Sequence, residues 1–213
     1  MYLRAIFFDL DGTLIDSYRD IGLHLNRTLR DFGLPEVDIE GVKYMVGGGA
    51  RGLLRRFFSD GFLEEAIGTF RGYYLREPVI YTKPFAGIVE LLEFAKERGI
   101  KLAVITNKME ELSRVILESL GLIGYFSLLV GGDTYPEKKP SPLPLLEALK
   151  VLKLFPEEAL MVGDTEADMK AGRLSGVKRG LAKWGYVRLL EEVPDYIFER
   201  PWDISTLINL EKP

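Results

Sequence analysis

Short apolar runs recur along the chain at Leu3 to Phe8, Lys101 to Ile105, Leu128 to Val130, Ala159 to Val162 and Val177 to Leu181, with a less regular one at Asp195 to Phe198. Runs without polar alternation predict strands buried on both faces. Between most of them, apolar positions return at helical spacing in GIVELLEFAKERG, EELSRVILESLG, PLPLLEALKVL and EADMKAGRLSG. Several of these segments end in glycine, as a helix C-terminus favours. Strand and helix in alternation predict an α/β fold, a Rossmann-like parallel sheet core with helices on both faces.

Residues 17–80 break the alternation. DIGLHLNRTLRDFG, ARGLLRRFFSDG and LEEAIGTFRGYYL read as helices with no strand between them. The pattern predicts a helical domain of residues 17–80 inserted after the first strand of a core made of residues 1–16 and 81–213, with Pro78 and Pro84 marking the return.

Net charge is -4, and Lys and Arg are interspersed with Asp and Glu. There is no basic footprint for nucleic acid and no polybasic patch for a membrane surface. No apolar stretch has the length to span a bilayer, and the amino terminus enters a strand pattern at once with no signal peptide, which predicts a cytoplasmic protein. Without cysteine there is no disulfide and no thiolate chemistry, so a metal here would be held by oxygen or by the single His24. The absence of glutamine, with only three asparagines, points to a thermophile. His24 sits among Ile21, Leu25 and Leu29 and is expected to pack rather than to catalyse.

Ligands of open parallel sheets bind beyond the carboxyl ends of the strands. There the chain places Asp9 and Asp11 in AIFFDLDGTLID, Thr106 and Asn107 in AVITNK, Lys138 and Lys139 in GGDTYPEKKPSP, and Asp164 and Asp168 in MVGDTEAD. Each alone has a plain explanation as a turn, a helix cap or a solvated charge. Together they do not. Two carboxylates about 5 Å apart repel by about 3 kcal/mol at the effective dielectric of a protein surface, so the arrangement calls for a positive group, and an all-oxygen set suits Mg²⁺.

In this order and at this spacing, DLDGT, ITN, KKPSP and GDTEAD resemble the four signature motifs of the haloacid dehalogenase-like hydrolase superfamily. VGGGARGLL, TNK and GGDTYPEKKPSP are most similar to its phosphoglycolate phosphatase-like members, although Met109 stands where many of these have proline. The resemblance implies that residues 17–80 form a cap and that the chain is a Mg²⁺-dependent phosphatase of a small phosphorylated metabolite, with 2-phosphoglycolate as the expected substrate. By the same resemblance Asp9 is nucleophile and metal ligand, forming an aspartyl-phosphate, and Asp11 is acid and base, its main-chain carbonyl joining Asp9 and Asp164 as ligands. Thr106, Asn107 and Lys139 would bind the phosphoryl group, and Asp168 would orient Lys139. In the cap, Gly48 and Gly49 are expected against the ligand and Arg51 on a substrate carboxylate, with Arg55 and Arg56 as competitors and a simple hinge as the alternative. A phosphosugar mutase would share the core residues but carry a histidine where this chain has Ile21. A non-catalytic sensor of a phosphorylated metabolite would have no need of Asp9, Asp11 and Lys139 together.

Overall fold

The structure, a computed structural model, describes residues 3–186 and 191–209. The chain runs through β1 (Ala5–Phe8), β2 (Ile15–Asp16), α1 (Tyr18–Asp31), α2 (Ile39–Val42), α3 (Gly49–Leu54), α4 (Asp60–Arg76), β3 (Lys83–Pro84), α5 (Ile88–Glu97) and β4 (Lys101–Ile105). It continues with α6 (Glu110–Ser119), β5 (Leu128–Val130), α7 (Leu143–Leu152), β6 (Ala159–Gly163), α8 (Glu166–Ser175), β7 (Lys178–Ala182), β8 (Tyr196–Phe198) and α9 (Ser205–Asn209).

Six strands form a parallel sheet in the order β5-β4-β1-β6-β7-β8. Side chains of β1 alternate between its faces, and both faces are covered. Ile6 and Phe8 join Leu91 and Leu92 of α5 and Ile116 of α6, while Ala5 and Phe7 join Leu145 and Leu149 of α7. Burial on both sides is why these strands read as continuous apolar runs. The chain passes from β1 to β4 on one side and on to β6 on the other, so the crevice of an open α/β sheet falls at the carboxyl end of β1.

The helices α1 to α4 lie between β2 and β3, which pair antiparallel with Ile15 opposite Pro84 and Asp16 opposite Lys83. This two-stranded ribbon brings the outgoing and returning connections side by side. It is fastened by Asp20 in the first turn of α1, fully buried, whose carboxylate accepts from Ile80 N, Tyr81 N and Thr82 N, each at 2.9 Å, and from Thr82 Oγ1 at 2.6 Å. His24 is buried against the Tyr74 ring at 4.5 Å, and its Nε2–H donates to the Glu77 carbonyl. Burial lowers its pKa, and it packs as expected.

One segment departs from its pattern. ARGLLRRFFSDG is not a single helix: α3 stops at Leu54, two turns follow, and α4 starts at Asp60. The break carries Phe58 inward, edge-on to Phe32 at 5.0 Å, a contact that a continued helix would not make. No helix among the described residues is long and apolar enough to cross a membrane.

Candidate active site

Asp9 follows β1 directly, its N–H still in the ladder to Val162 O, and Asp11 lies two residues on. Between them and Ile15 the chain turns tightly through Gly12 at φ +87°, where an added Cβ would stand 2.5 Å from Asp164 Oδ2. Only glycine takes that φ freely, so the loop can lie directly on Asp164. Each of the two carboxylates has a lysine of its own beside it. Lys139 Nζ contacts Asp9 Oδ1 at 2.9 Å and Asp168 Oδ1 at 2.6 Å, and donates to Ile105 O at 2.5 Å. Lys108 Nζ contacts both Asp11 oxygens at 3.2 Å, and Ser17 Oγ donates to Asp11 Oδ1 at 2.6 Å.

Asp164 follows β6, is fully buried, and accepts from Thr13 Oγ1 at 3.2 Å and Tyr186 N at 2.8 Å. Asp168 closes a capping box at the start of α8: its Oδ2 accepts from Thr165 N and Thr165 Oγ1. Carboxylate oxygens of Asp9, Asp164 and Asp168 lie within 4.8 Å of one another. Burial pushes the Asp164 carboxyl up to about 8, helped by Asp9 and Asp168. Burial likewise pushes Asp9 up to about 6, against the pull of Lys139. Lys139 moves the other way from what its burial alone would do, because Asp168 and Asp9 hold its proton more tightly. The donor set is hard, anionic and all oxygen, which fits Mg²⁺. Asp168 has given its oxygens to Lys139 and Thr165, whereas Asp9 and Asp164 keep acceptor capacity for a cation.

This electrostatic state has a measurable consequence. In the metal-free protein the folded Asp164 holds a proton that the unfolded chain releases above the ordinary carboxylate value of 3.8. Its contribution to stability is complete below that value and is lost as pH rises through about 8. Thermal melts in EDTA will therefore show Asp164→Asn more stable than the parent at pH 8, with the two converging toward pH 4. A gap independent of pH would mean that Asp164 is not held protonated.

A small cavity of about 40 Å³ opens over Asp9 and Asp11, lined also by Thr106, Asn107, Lys108 and Gly49 and walled by apolar Ile21, Met45, Leu53, Phe70 and Leu112. Thr106 directly follows β4, and its hydroxyl accepts from Lys108 N. Asn107 spends its amide N–H groups on Gly47 O and Lys139 O, both at 2.9 Å. Two residues expected at the ligand do not line this cavity. Gly48 lines an outer groove, its carbonyl taken by Lys138 Nζ at 2.7 Å. Arg51 of α3 lines the same groove and, half exposed, is paired with Glu64 of α4. Arg55 lines that groove as well.

Lys108, Ser17 and Tyr186 were not picked out from the sequence as site residues. Tyr186 ties the core to the ribbon, its hydroxyl donating to Asp16 Oδ1 at 2.9 Å and accepting from Ser17 N at 2.7 Å. Lys108 stood in plain view in TNK, but nothing in the string told which way it pointed.

A sheet switch point that gathers carboxylates and buried lysines in this order defines a class, and comparison with known proteins agrees: the chain belongs to the haloacid dehalogenase-like hydrolase family, whose profile matches residues 6–182. Within it, the chain is 52% identical over 207 residues to a phosphoglycolate phosphatase of Aquifex aeolicus, covering 97% of both proteins. It is 36% identical to phosphoglycolate phosphatase 1 of Pseudomonas aeruginosa, over 94% of this chain and 78% of that one. Among solved structures, a predicted phosphoglycolate phosphatase from Haemophilus somnus superposes with a TM-score of 0.89 at 29% identity, over 97% of this chain and 98% of the other.

Proposed function

We propose that this chain hydrolyses the phosphate monoester of a small acid, 2-phosphoglycolate, in a Mg²⁺-dependent reaction, with residues 17–80 acting as a cap. The observation that carries it is the pair Asp9 and Asp11 beneath a small cavity, each with its own buried ammonium. The names of the relatives at 52% and 36% identity support the substrate.

Asp9 Oδ2, the oxygen not engaged by Lys139, attacks phosphorus in line and forms an aspartyl-phosphate, dividing one difficult step into two. Asp11 gives a proton to the departing ester oxygen and then takes one from the water that cleaves the intermediate. The Thr106 hydroxyl faces the transferring group, and Lys139 supplies fixed positive charge beside it. Asp168 holds Lys139 in place. Mg²⁺, held by Asp9, Asp164 and the Asp11 main-chain carbonyl, would draw negative charge from the phosphoryl oxygens. Ile21 presents a hydrocarbon to the cavity where a mutase of this type would carry a histidine.

The test is phosphate release from 2-phosphoglycolate. Turnover is expected with Mg²⁺, none in EDTA, and inhibition by Ca²⁺, which is larger and less strict in geometry. Failure to release phosphate from any monoester with Mg²⁺ present would overturn the proposal.

A further inference from the structure

The two lysines at the carboxylate pair differ in how fully the protein occupies them. Lys139 Nζ has three acceptors, Ile105 O, Asp168 Oδ1 and Asp9 Oδ1, at 2.5, 2.6 and 2.9 Å, one for each of its protons. Lys108 Nζ straddles the two Asp11 oxygens at 3.2 Å and has the Tyr74 hydroxyl at 3.4 Å. Charge-assisted N–H···O bonds settle at roughly 2.7–2.9 Å, so these three contacts are long and can be exchanged for a ligand oxygen at little cost. The Tyr74 ring lies 4.4 Å from the ammonium and holds it by its face without using a proton.

Lys108 is also the one cation among the described residues that lines the inner cavity; Arg51, Arg55 and Lys138 line the outer groove. We propose that Lys108 receives the carboxylate of the leaving group and thereby sets the preference for anionic phosphate esters. This deepens the phosphatase reading above and rests on it. In 2-phosphoglycolate the carboxylate carbon is two bonds beyond the ester oxygen. A molecule that short can place its ester oxygen at Asp11 and its carboxylate at the ammonium 3.2 Å away.

The experiment compares kcat/KM for 2-phosphoglycolate and ethyl phosphate, which has a methyl group in place of the carboxylate. In the parent protein the ratio is expected to favour 2-phosphoglycolate strongly. Lys108→Met should lower that ratio by about 30- to 1,000-fold, Lys108→Arg should keep most of it, and Arg51→Ala should leave it in place. Should the methionine variant not fold, Lys108→Gln reads the same ratio. Equal losses on both esters would mean that Lys108 acts only through Asp11, and a ratio that moves with Arg51 instead would return carboxylate recognition to the outer groove; either overturns the assignment. Phosphate release from both esters without preference overturns the role of Lys108 alone, while release from neither overturns the phosphatase reading itself.

Discussion

Asp9→Asn will fold and melt at least as well as the parent protein and will lose at least about 10⁴-fold in kcat on every phosphate ester. The two halves of this result have one origin. Asp9 is a nearly buried carboxylate at the end of β1, its pKa pushed up to about 6 by burial. An amide of the same shape removes that strain and still offers its oxygen to Lys139, so the sheet end keeps its packing. The amide is a poor nucleophile toward phosphorus, and no neighbour stands in for it: Asp11 is engaged by Ser17 and Lys108, and Asp168 by Lys139 and Thr165. Phosphate release and a thermal melt on the same preparation test both halves. Mass spectrometry of acid-quenched parent enzyme should find a phosphoryl group on the peptide containing Asp9 and none in the variant. Turnover within tenfold of the parent, with contamination excluded, would remove Asp9 from the role of nucleophile.

A second large effect is expected far from the chemistry. Asp20→Ala should cost on the order of 3 kcal/mol of stability, because it strands the buried N–H and hydroxyl of Thr82 and takes the acceptor from the half-buried Ile80 N and Tyr81 N. Each unsatisfied buried donor costs about 1–3 kcal/mol, and local relaxation recovers part of the total. Asp20→Asn should fall between, since one amide oxygen can still accept from the 80–82 segment. Urea denaturation of the three proteins measures this, and a loss below about 1 kcal/mol in the alanine variant would show that the connection has another fastening. Because the same four bonds tie α1 to the returning chain, the alanine variant should also lose activity out of proportion to its folded fraction.

How far the molecule could be read in advance varied from element to element for physical reasons. Strands β1, β4, β5 and β6 were legible because burial on both faces leaves an unbroken apolar run, and α8 because EADMKAGRLSG returns its apolar positions at helical spacing and ends in glycine. The gathering of Asp9, Asp11, Thr106, Lys139, Asp164 and Asp168 was legible too, since a parallel sheet brings its strand ends to one edge. What escaped depended on direction and distance. The bond between Asp20 and Thr82 spans 62 positions and leaves no local mark. Arg51 and Lys108 each sit in a suggestive string, but a single residue's place on a short helix or loop decides whether it meets the cavity or the solvent. The end of α3 at Leu54 is accompanied by the contact of Phe58 with Phe32, a contact between segments that no periodicity within ARGLLRRFFSDG contains.

The way the inserted helices meet the strand ends also bears on how such a protein can diversify. Asn107 and Lys138 grip the oxygens of Gly47 and Gly48, main-chain atoms that exist whatever side chains the segment carries, and Gly49, at φ +70°, leaves no room for a Cβ against Asn107 O. Part of the docking is thus written into the backbone path and one glycine, beside side-chain contacts such as Arg71 with Glu111. The residues that form the cavity wall, Ile21, Met45, Leu53 and Phe70 among them, are free of that duty. They can be exchanged in a search for new substrates while the seating of one part on the other is inherited unchanged.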